Sequence, residues 1–337
     1  MSIKIGHIET RNRVFLAPMS GVSDEPFRKA AHATGAGLVV SEMVASEELV
    51  RERRDMVRRA KSAPNVYPFV MQIAGREAKW MSEGARVAQD LGADIIDINM
   101  GCPARQVTGG LSGSALMRDL DHAIALIAAT VAAARVPVTL KMRLGWDEKS
   151  LNAPELARRA EAEGIAMITV HGRTRCQFYT GRADWKAIRA VREVIHVPLI
   201  ANGDCATSAD ARTMMAHSGC DGVMIGRASY GRPWLAGEVA CGLGEATGSK
   251  PLTLLDERNL LLAQQEDTLK LYGAALGNKT FRKHLGWTVT RLNERGLIGD
   301  DKTARLRREL LPDPNNASVG QALYALFADA AEVAEAA

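Results

Sequence analysis

From Val14 to about Trp234 short, β-branched apolar runs alternate with longer alanine-rich stretches of mixed polarity. The runs fall at 14–17, 38–41, 69–73, 95–98, 138–142, 167–170, 199–201 and 222–225. They are short and nearly continuous in apolarity, as strands buried on both faces are. Helical spacing follows at 24–34, 77–91, 114–134 and 154–163. Eight strand-then-helix units in series predict an α/β protein whose parallel strands close into a (β/α)8 barrel. Residues 242–251, rich in glycine with a lysine and a proline, read as a linker. Beyond them the apolar positions, among them Leu254, Leu261, Leu262, Leu306, Leu323 and Leu326, take helical spacing. The expected organisation is a barrel over residues 1–241 and a smaller all-helical domain over 252–337.

The polar residues that break this pattern sit at the C-terminal ends of the expected strands, where barrel enzymes carry their chemistry. Pro18, Met19 and Ser20 follow the first strand, Gln72 lies near the end of the third, and Asn99 and Cys102 follow the fourth. Lys141 and Arg143 end the fifth, His171, Gly172 and Arg173 the sixth, Asn202, Gly203 and Asp204 the seventh, and Gly226 and Arg227 the eighth. Each has a bland alternative: a satisfied core amide for Gln72, a structural hydrogen bonder for His171, a strand-end lysine with its head in water for Lys141. Taken together they do not scatter as core accidents do. Thr139, Lys141 and Arg143 share one face of a strand of period two, which puts Lys141 near the barrel mouth.

The densest cluster is Asp97-Ile98-Asn99-Met100-Gly101-Cys102-Pro103. Gly101 and Pro103 stop the strand and leave Cys102 on a tight loop. A lone cysteine is usually a small buried hydrophobe, so Cys102 gains interest only from the other strand ends. The glycines after the seventh and eighth strands fall where barrels bind phosphate through backbone N–H groups, or else serve as ordinary turns.

Charge changes the picture locally. The whole chain carries a formal net charge of +4, too mild by itself to indicate nucleic acid. Between Lys270 and Arg308, however, ten Lys/Arg face three acids. Lys279, Arg282 and Lys283 share a helical face there. A second basic stretch, Arg51 to Lys61, is diluted by Glu52 and Asp55. Five cysteines, odd in number and without a C-x-x-C pair, suggest neither a disulfide framework nor a zinc site, and no metal is expected. The longest apolar run, 123–134, is too short to span a bilayer, so a cytoplasmic protein without a membrane partner is expected.

The stretch around Cys102, with Leu16-Ala17-Pro18-Met19, Val170-His171-Gly172-Arg173-Thr174, Ala201-Asn202-Gly203-Asp204 and Ile225-Gly226-Arg227, resembles the tRNA-dihydrouridine synthase family, nearest its bacterial B-type branch. The resemblance implies a flavoprotein that reduces the C5=C6 bond of uridines in tRNA with FMN and NADPH. It places Pro18, Met19 and Ser20 along the isoalloxazine and Gln72, Lys141 and His171 at its polar edge. It gives Asn202, Gly203, Asp204, Gly226 and Arg227 the ribityl phosphate, and Asn99, Arg143 and Arg173 the uracil or its phosphate. Lys279, Arg282 and Lys283 would meet tRNA, and Cys102 matches the proton donor. The chemistry is coherent, because hydride arriving at C6 of a carbonyl-conjugated double bond builds negative charge that a proton at C5 must quench. A thiol is mostly protonated at neutral pH and can supply that proton. The rivals are a flavin reductase of free pyrimidines or enones and a non-catalytic RNA-binding barrel. The modified uridine and the oligomeric state stay open. Cys205 departs from the family pattern, which favours an aliphatic residue there.

Overall fold

The computed structural model describes residues 1–245, 252–309 and 316–335. The barrel strands are β1 (Val14–Leu16), β2 (Leu38–Val39), β3 (Val70–Ala74), β4 (Ile95–Met100), β5 (Val138–Arg143), β6 (Met167–His171), β7 (Leu199–Asn202) and β8 (Gly222–Ile225). All neighbouring pairs are parallel, and β8 returns to pair with β1 in the register Val223↔Val14. Helices such as Glu25–Ala33, Ala78–Asp90, Ala153–Ala162 and Ser208–Ser218 supply the crossovers. Because these helices cover the outer face while side chains fill the inner one, every residue of β4, β5 and β6 is buried. This is the (β/α)8 architecture that the sequence pattern predicts.

The second strand is split. Leu38–Val39 pairs with β1, a separate two-residue strand Val44–Ala45 pairs with β3, and a Val40–Val70 bridge closes the ring between them. The break has a polar cause: the Ser41 hydroxyl accepts the Gln72 N–H at 2.9 Å, and the buried Glu42 carboxylate accepts the Gly21 N–H. The expected helix 114–134 is also divided, into a 3-10 turn Gly113–Arg118 and a helix Leu120–Ala133. Asp119 leaves helical geometry between them and caps the second piece by accepting the His122 N–H at 3.0 Å. An antiparallel pair, Lys4–Ile5 with Ile8–Glu9, packs Ile3, Ile5 and Ile8 against residues at the N-terminal ends of the strands, among them Val70, Ile95, Met167 and Ile200. The opposite end is left for chemistry.

The chain divides into two compact units, residues 1–228 with 234–245 and residues 229–233 with those from 252 onward. The expected linker 242–251 falls, over 246–251, outside the described residues, and Gly242 ends the helix Leu235–Gly242. The second unit comprises helices Leu254–Tyr272, Ala274–Glu294, Asp300–Glu309 and Asn316–Glu335. Thr253 and Asp256 form a reciprocal cap on the first of these. Leu261, Phe281, Leu285, Val289, Leu292, Leu323 and Phe327 are buried in this unit. The buried Glu257 carboxylate takes Arg291 at 2.7 Å and Arg295 at 3.0 Å. Among the described residues no helix is long and apolar enough to cross a membrane.

Candidate active site

The loop after β4 is held from both sides. Asn99 Oδ1 accepts the backbone N–H groups of Gly101 at 3.1 Å and Cys102 at 2.9 Å. The Cys102 carbonyl accepts the Ser114 N–H at 3.1 Å and its hydroxyl at 2.8 Å. Arg143 Nε donates to the Gly101 carbonyl at 2.8 Å. Gly113 completes the clamp at φ +59°, since a Cβ there would lie 2.9 Å from the Cys102 oxygen and 2.8 Å from Val107 Cγ1. Cys102 is half-buried and its backbone has little freedom.

Beneath it runs a chain of buried side chains. Asn99 Nδ2 donates to Gln72 Oε1 at 2.8 Å, Gln72 Nε2 to Asp97 Oδ2 at 2.7 Å, and the Thr139 hydroxyl to Asp97 Oδ1 at 2.6 Å. Strand register causes this, because Gln72, Asp97 and Thr139 are aligned across β3, β4 and β5. Burial pushes the Asp97 carboxyl above its usual range, against the Thr139 and Gln72 hydrogen bonds and the charge of Lys141.

One residue along β5 pairs in register with β4 as Asn99↔Lys141 and with β6 as Lys141↔Thr169. Lys141 Nζ donates to Asn202 Oδ1 at 3.1 Å, and Asn202 Nδ2 donates to the Met224 carbonyl at 2.7 Å. Burial, then the neighbouring Arg143, brings the ammonium down to about 8, with Asp97 and Cys102 pulling the other way. Arg143 is likewise lowered by burial, to about 10. His171 is pushed well below the usual imidazole value by burial and by Lys141, Arg143, Arg173 and Arg227, so it is neutral at physiological pH. Its Nε2 lies 3.2 Å from Arg173, which can only donate, so the ring proton sits on Nδ1.

Lys141 carries a stability cost with a definite pH signature. Its folded pKa of about 8 lies below the ordinary 10.5, so between those values the unfolded chain binds more protons and stability rises with pH. The shift corresponds to about 3 kcal/mol of burial penalty at neutral pH. Lys141→Met is expected to raise the urea midpoint of the apoprotein at pH 7 and to flatten its rise between pH 8 and 10, while turnover falls. An apoprotein destabilised at pH 7 by this change would show that the ammonium is compensated in the fold.

After β6 and β7 the geometry couples two residues that the sequence assigns separately. The buried Arg173 guanidinium holds Asp204 through two bonds, 3.0 and 2.6 Å, and donates to the carbonyls of Thr180 at 3.1 Å and Gly181 at 2.7 Å. Asp204 also accepts the Ala183 N–H at 2.8 Å and lies 3.5 Å from Arg227. Burial raises its carboxyl, but these hydrogen bonds and the Arg173 and Arg227 charges outweigh that and hold it below the usual range. Gly203 adopts φ +120°, and a Cβ there would stand 2.7 Å from Ala183 Cβ. Around Gly226, by contrast, an added Cβ would meet nothing nearer than Ala17 Cβ at 3.7 Å and Met19 Sδ at 3.8 Å. Pro18 and Met19 are half-buried and Ser20 exposed beside this glycine turn. Lys279, Arg282 and Lys283 belong to the second unit, on helix Ala274–Glu294, with Lys279 exposed and the other two half-buried.

Several residues emerge that sequence reasoning did not single out. Asp97 and Thr139 were visible as polar strand positions, and Ser114 only as a helix residue. Tyr179 lies 4.5 Å from the Arg227 guanidinium and 5.4 Å from that of Arg143. Trp146 stands between Arg118 at 4.9 Å and Arg175 at 4.8 Å, in the loops after β4, β5 and β6. Arg175 also donates to the Thr108 hydroxyl at 3.3 Å, just beyond Cys102. Cys205 is buried, with burial pushing its thiol up to about 12, and Cys176 is exposed. Among the described residues no group of three His, Cys, Asp or Glu side chains could hold a metal ion.

Comparison with known proteins follows the same residues. Residues 15–308 match the family model described as dihydrouridine synthase. A probable tRNA-dihydrouridine synthase of Rhizobium leguminosarum bv. phaseoli is 56% identical over 307 residues, covering 90% of this chain and 94% of that one. The tRNA-dihydrouridine synthase B of Xanthomonas campestris pv. campestris is 45% identical over 285 residues, 85% of this chain and 86% of that one. Among solved structures, morphinone reductase in complex with tetrahydroNAD matches with a TM-score of 0.52 at 14% identity, covering 72% of this chain and 90% of that one. At that identity the likeness is one of fold.

Proposed function

The chain belongs to the dihydrouridine synthase family, and on that premise we propose that its barrel mouth reduces the C5=C6 bond of uridines in tRNA to 5,6-dihydrouridine with FMN and NADPH. One observation carries the reading: Cys102 is held on a rigid loop at the barrel mouth, its backbone fixed by Asn99 and Ser114 and the neighbouring Gly101 carbonyl by the buried Arg143. A thiol so placed can give up a proton reproducibly.

The donor chemistry of the wall suits FMN. Lys141 spends one N–H on Asn202, and its remaining donors and charge suit an electron-rich ring edge. The open glycine turn at Gly226, with Arg227 beside it, suits a phosphate. In this reading Met19 and Pro18 would flank the ring, neutral His171 would offer a hydrogen bond at its edge, and Asn202 orients the Lys141 ammonium; Gln72, expected at that edge, is fully buried with its amide engaged by Asp97 and Asn99. FMN held there, with NADPH as reductant, would supply the hydride for C6 of the uracil. Cys102 Sγ delivers the proton to C5 and is reprotonated from solvent. Asp204 and Arg173 shape the loop around Gly203.

A uracil in folded RNA must be splayed out to reach such a mouth, so phosphates around it have to be gripped. Arg118 and Arg175, stacked on Trp146, provide cations on the barrel rim, and Lys279, Arg282 and Lys283 provide them on the helical unit. The test is reconstitution with tRNA lacking dihydrouridine, followed by mass-spectrometric mapping. Expected is tRNA-dependent NADPH consumption with two hydrogens gained at a defined uridine. Unaltered tRNA, with the flavin reoxidised instead by free uracil or an enone, would replace this reading by a small-molecule reductase.

A further inference from the structure

We propose that Asp97 is a positioning residue: it anchors the far end of the hydrogen-bond chain through Gln72 and Asn99, and thereby holds the backbone of the Cys102 loop. The inference rests on the reading of Cys102 as proton donor, but its geometry stands independently. Backbone N–H groups can only donate, so the Asn99 atom facing Gly101 and Cys102 must be its oxygen. The Asn99 amide nitrogen therefore faces Gln72, whose oxygen must accept it, and the Gln72 nitrogen must point at residue 97. Position 97 then has to present an acceptor. A carboxylate does so with either oxygen, and the Thr139 hydroxyl donates to the other one.

The loop N–H groups fix the near end of this chain, and Asp97 is the acceptor that anchors its far end. Gln72, Asp97, Asn99 and Thr139 are all at most 7% exposed, so bulk water does not compete for their polar atoms. An amide is nearly symmetric in shape, and its two orientations differ only in which end donates. Without an acceptor at 97, Gln72 gains nothing from its present orientation. Asn99 then keeps its oxygen on the loop N–H groups but loses the fixed Gln72 acceptor that holds its amide nitrogen in place. Since Asn99 supplies the side-chain acceptor for both N–H groups, an error at Asp97, three links away, reaches the thiol.

The experiment compares Asp97→Leu with Asp97→Asn in the FMN-loaded protein. Leucine offers no acceptor. Asparagine can turn its oxygen to Gln72 and its nitrogen to Thr139, whose hydroxyl also accepts, so it is the conservative rescue. Two readouts are taken: kcat and KM for tRNA reduction, and the rate of iodoacetamide alkylation at Cys102 by peptide mass spectrometry, with exposed Cys176 as internal reference. Asp97→Leu is expected to lower kcat by about a hundredfold, the cost typical of an ångström-scale misplacement, with KM little altered and Cys102 alkylated severalfold faster. Asp97→Asn is expected to stay within a few-fold of the parent in both.

Equal losses in the two variants would overturn the proposal in favour of a role for the Asp97 charge beside Lys141. Unchanged kcat and alkylation in Asp97→Leu would overturn it outright. If that variant fails to fold, Gln72→Met interrupts the chain one link nearer the loop and carries the same expectation for alkylation. A Cys102→Ala protein that still reduces tRNA would remove the proton-donor reading, while the alkylation comparison would still decide whether Asp97 sets the loop.

Discussion

Replacement of Cys102 by alanine is expected to leave FMN binding, flavin reduction by NADPH and tRNA affinity intact while dihydrouridine formation falls by about a hundred- to ten-thousand-fold, the range over which general acids contribute. The reason is the division of labour in the barrel. Lys141, His171, Asn202 and the Gly226 turn do not depend on the thiol for their hydrogen bonds, and the Cys102 backbone is clamped by Asn99 and Ser114 whatever side chain it carries. Alanine therefore removes the proton and little else. Flavin absorbance separates the half-reactions: bleaching on NADPH addition should be normal and recovery on tRNA addition slow. Normal recovery would mean that another acid protonates C5, and the assignment of Cys102 would fall.

A second large effect is expected at Arg173. Arg173→Ala should lower stability by about 1–3 kcal/mol, because the buried guanidinium's hydrogen bonds are lost, while Asp204, exposed and still beside Arg227, is not stranded in the interior. Here the loss includes two bonds to Asp204 and the bonds to the Thr180 and Gly181 carbonyls, made by a guanidinium that is 1% exposed. For a barrel of this size the melting temperature should drop by a few degrees. Function should suffer with it, since Asp204 holds an unfavourable φ of +60° next to Gly203 and needs Arg173 to stay there. FMN affinity is the measurement that separates a local from a global effect. A folded Arg173→Ala protein with unaltered FMN affinity would show that the loop after β7 keeps its shape without the pair.

The two expectations differ in how far the sequence anticipated them. Cys102 was legible because strand, stop and thiol are contiguous: the apolar run ending at Ile98, the glycine and the proline are local signals with local physical causes. The same holds for the eight strand positions, whose apolarity records burial on both faces, and for helices capped by their own neighbours, such as Asp24 before Glu25–Ala33. Local signals misled where a tertiary contact outweighed them. The run 114–134 has helical composition throughout, yet Gly113 to Arg118 winds into a tighter turn because Ser114 is recruited to the Cys102 carbonyl and Asp119 restarts the helix.

The architecture and the roster were legible in the chain alone: eight strands in order, a helical unit after them, and polar residues collected at the strand ends. Those follow from periodicity and turn chemistry, which act over a few residues. Who holds whom is set by the folded barrel. The residues that share a bond at the site are far apart in the chain: Gln72 and Asp97, Asp97 and Thr139, Lys141 and Asn202, Arg173 and Asp204. Their pairing is set by strand register, and register is a property of the closed sheet as a whole. The pKa shifts at Lys141 and His171 have the same origin, because desolvation and neighbouring charge exist only once the barrel has closed around them.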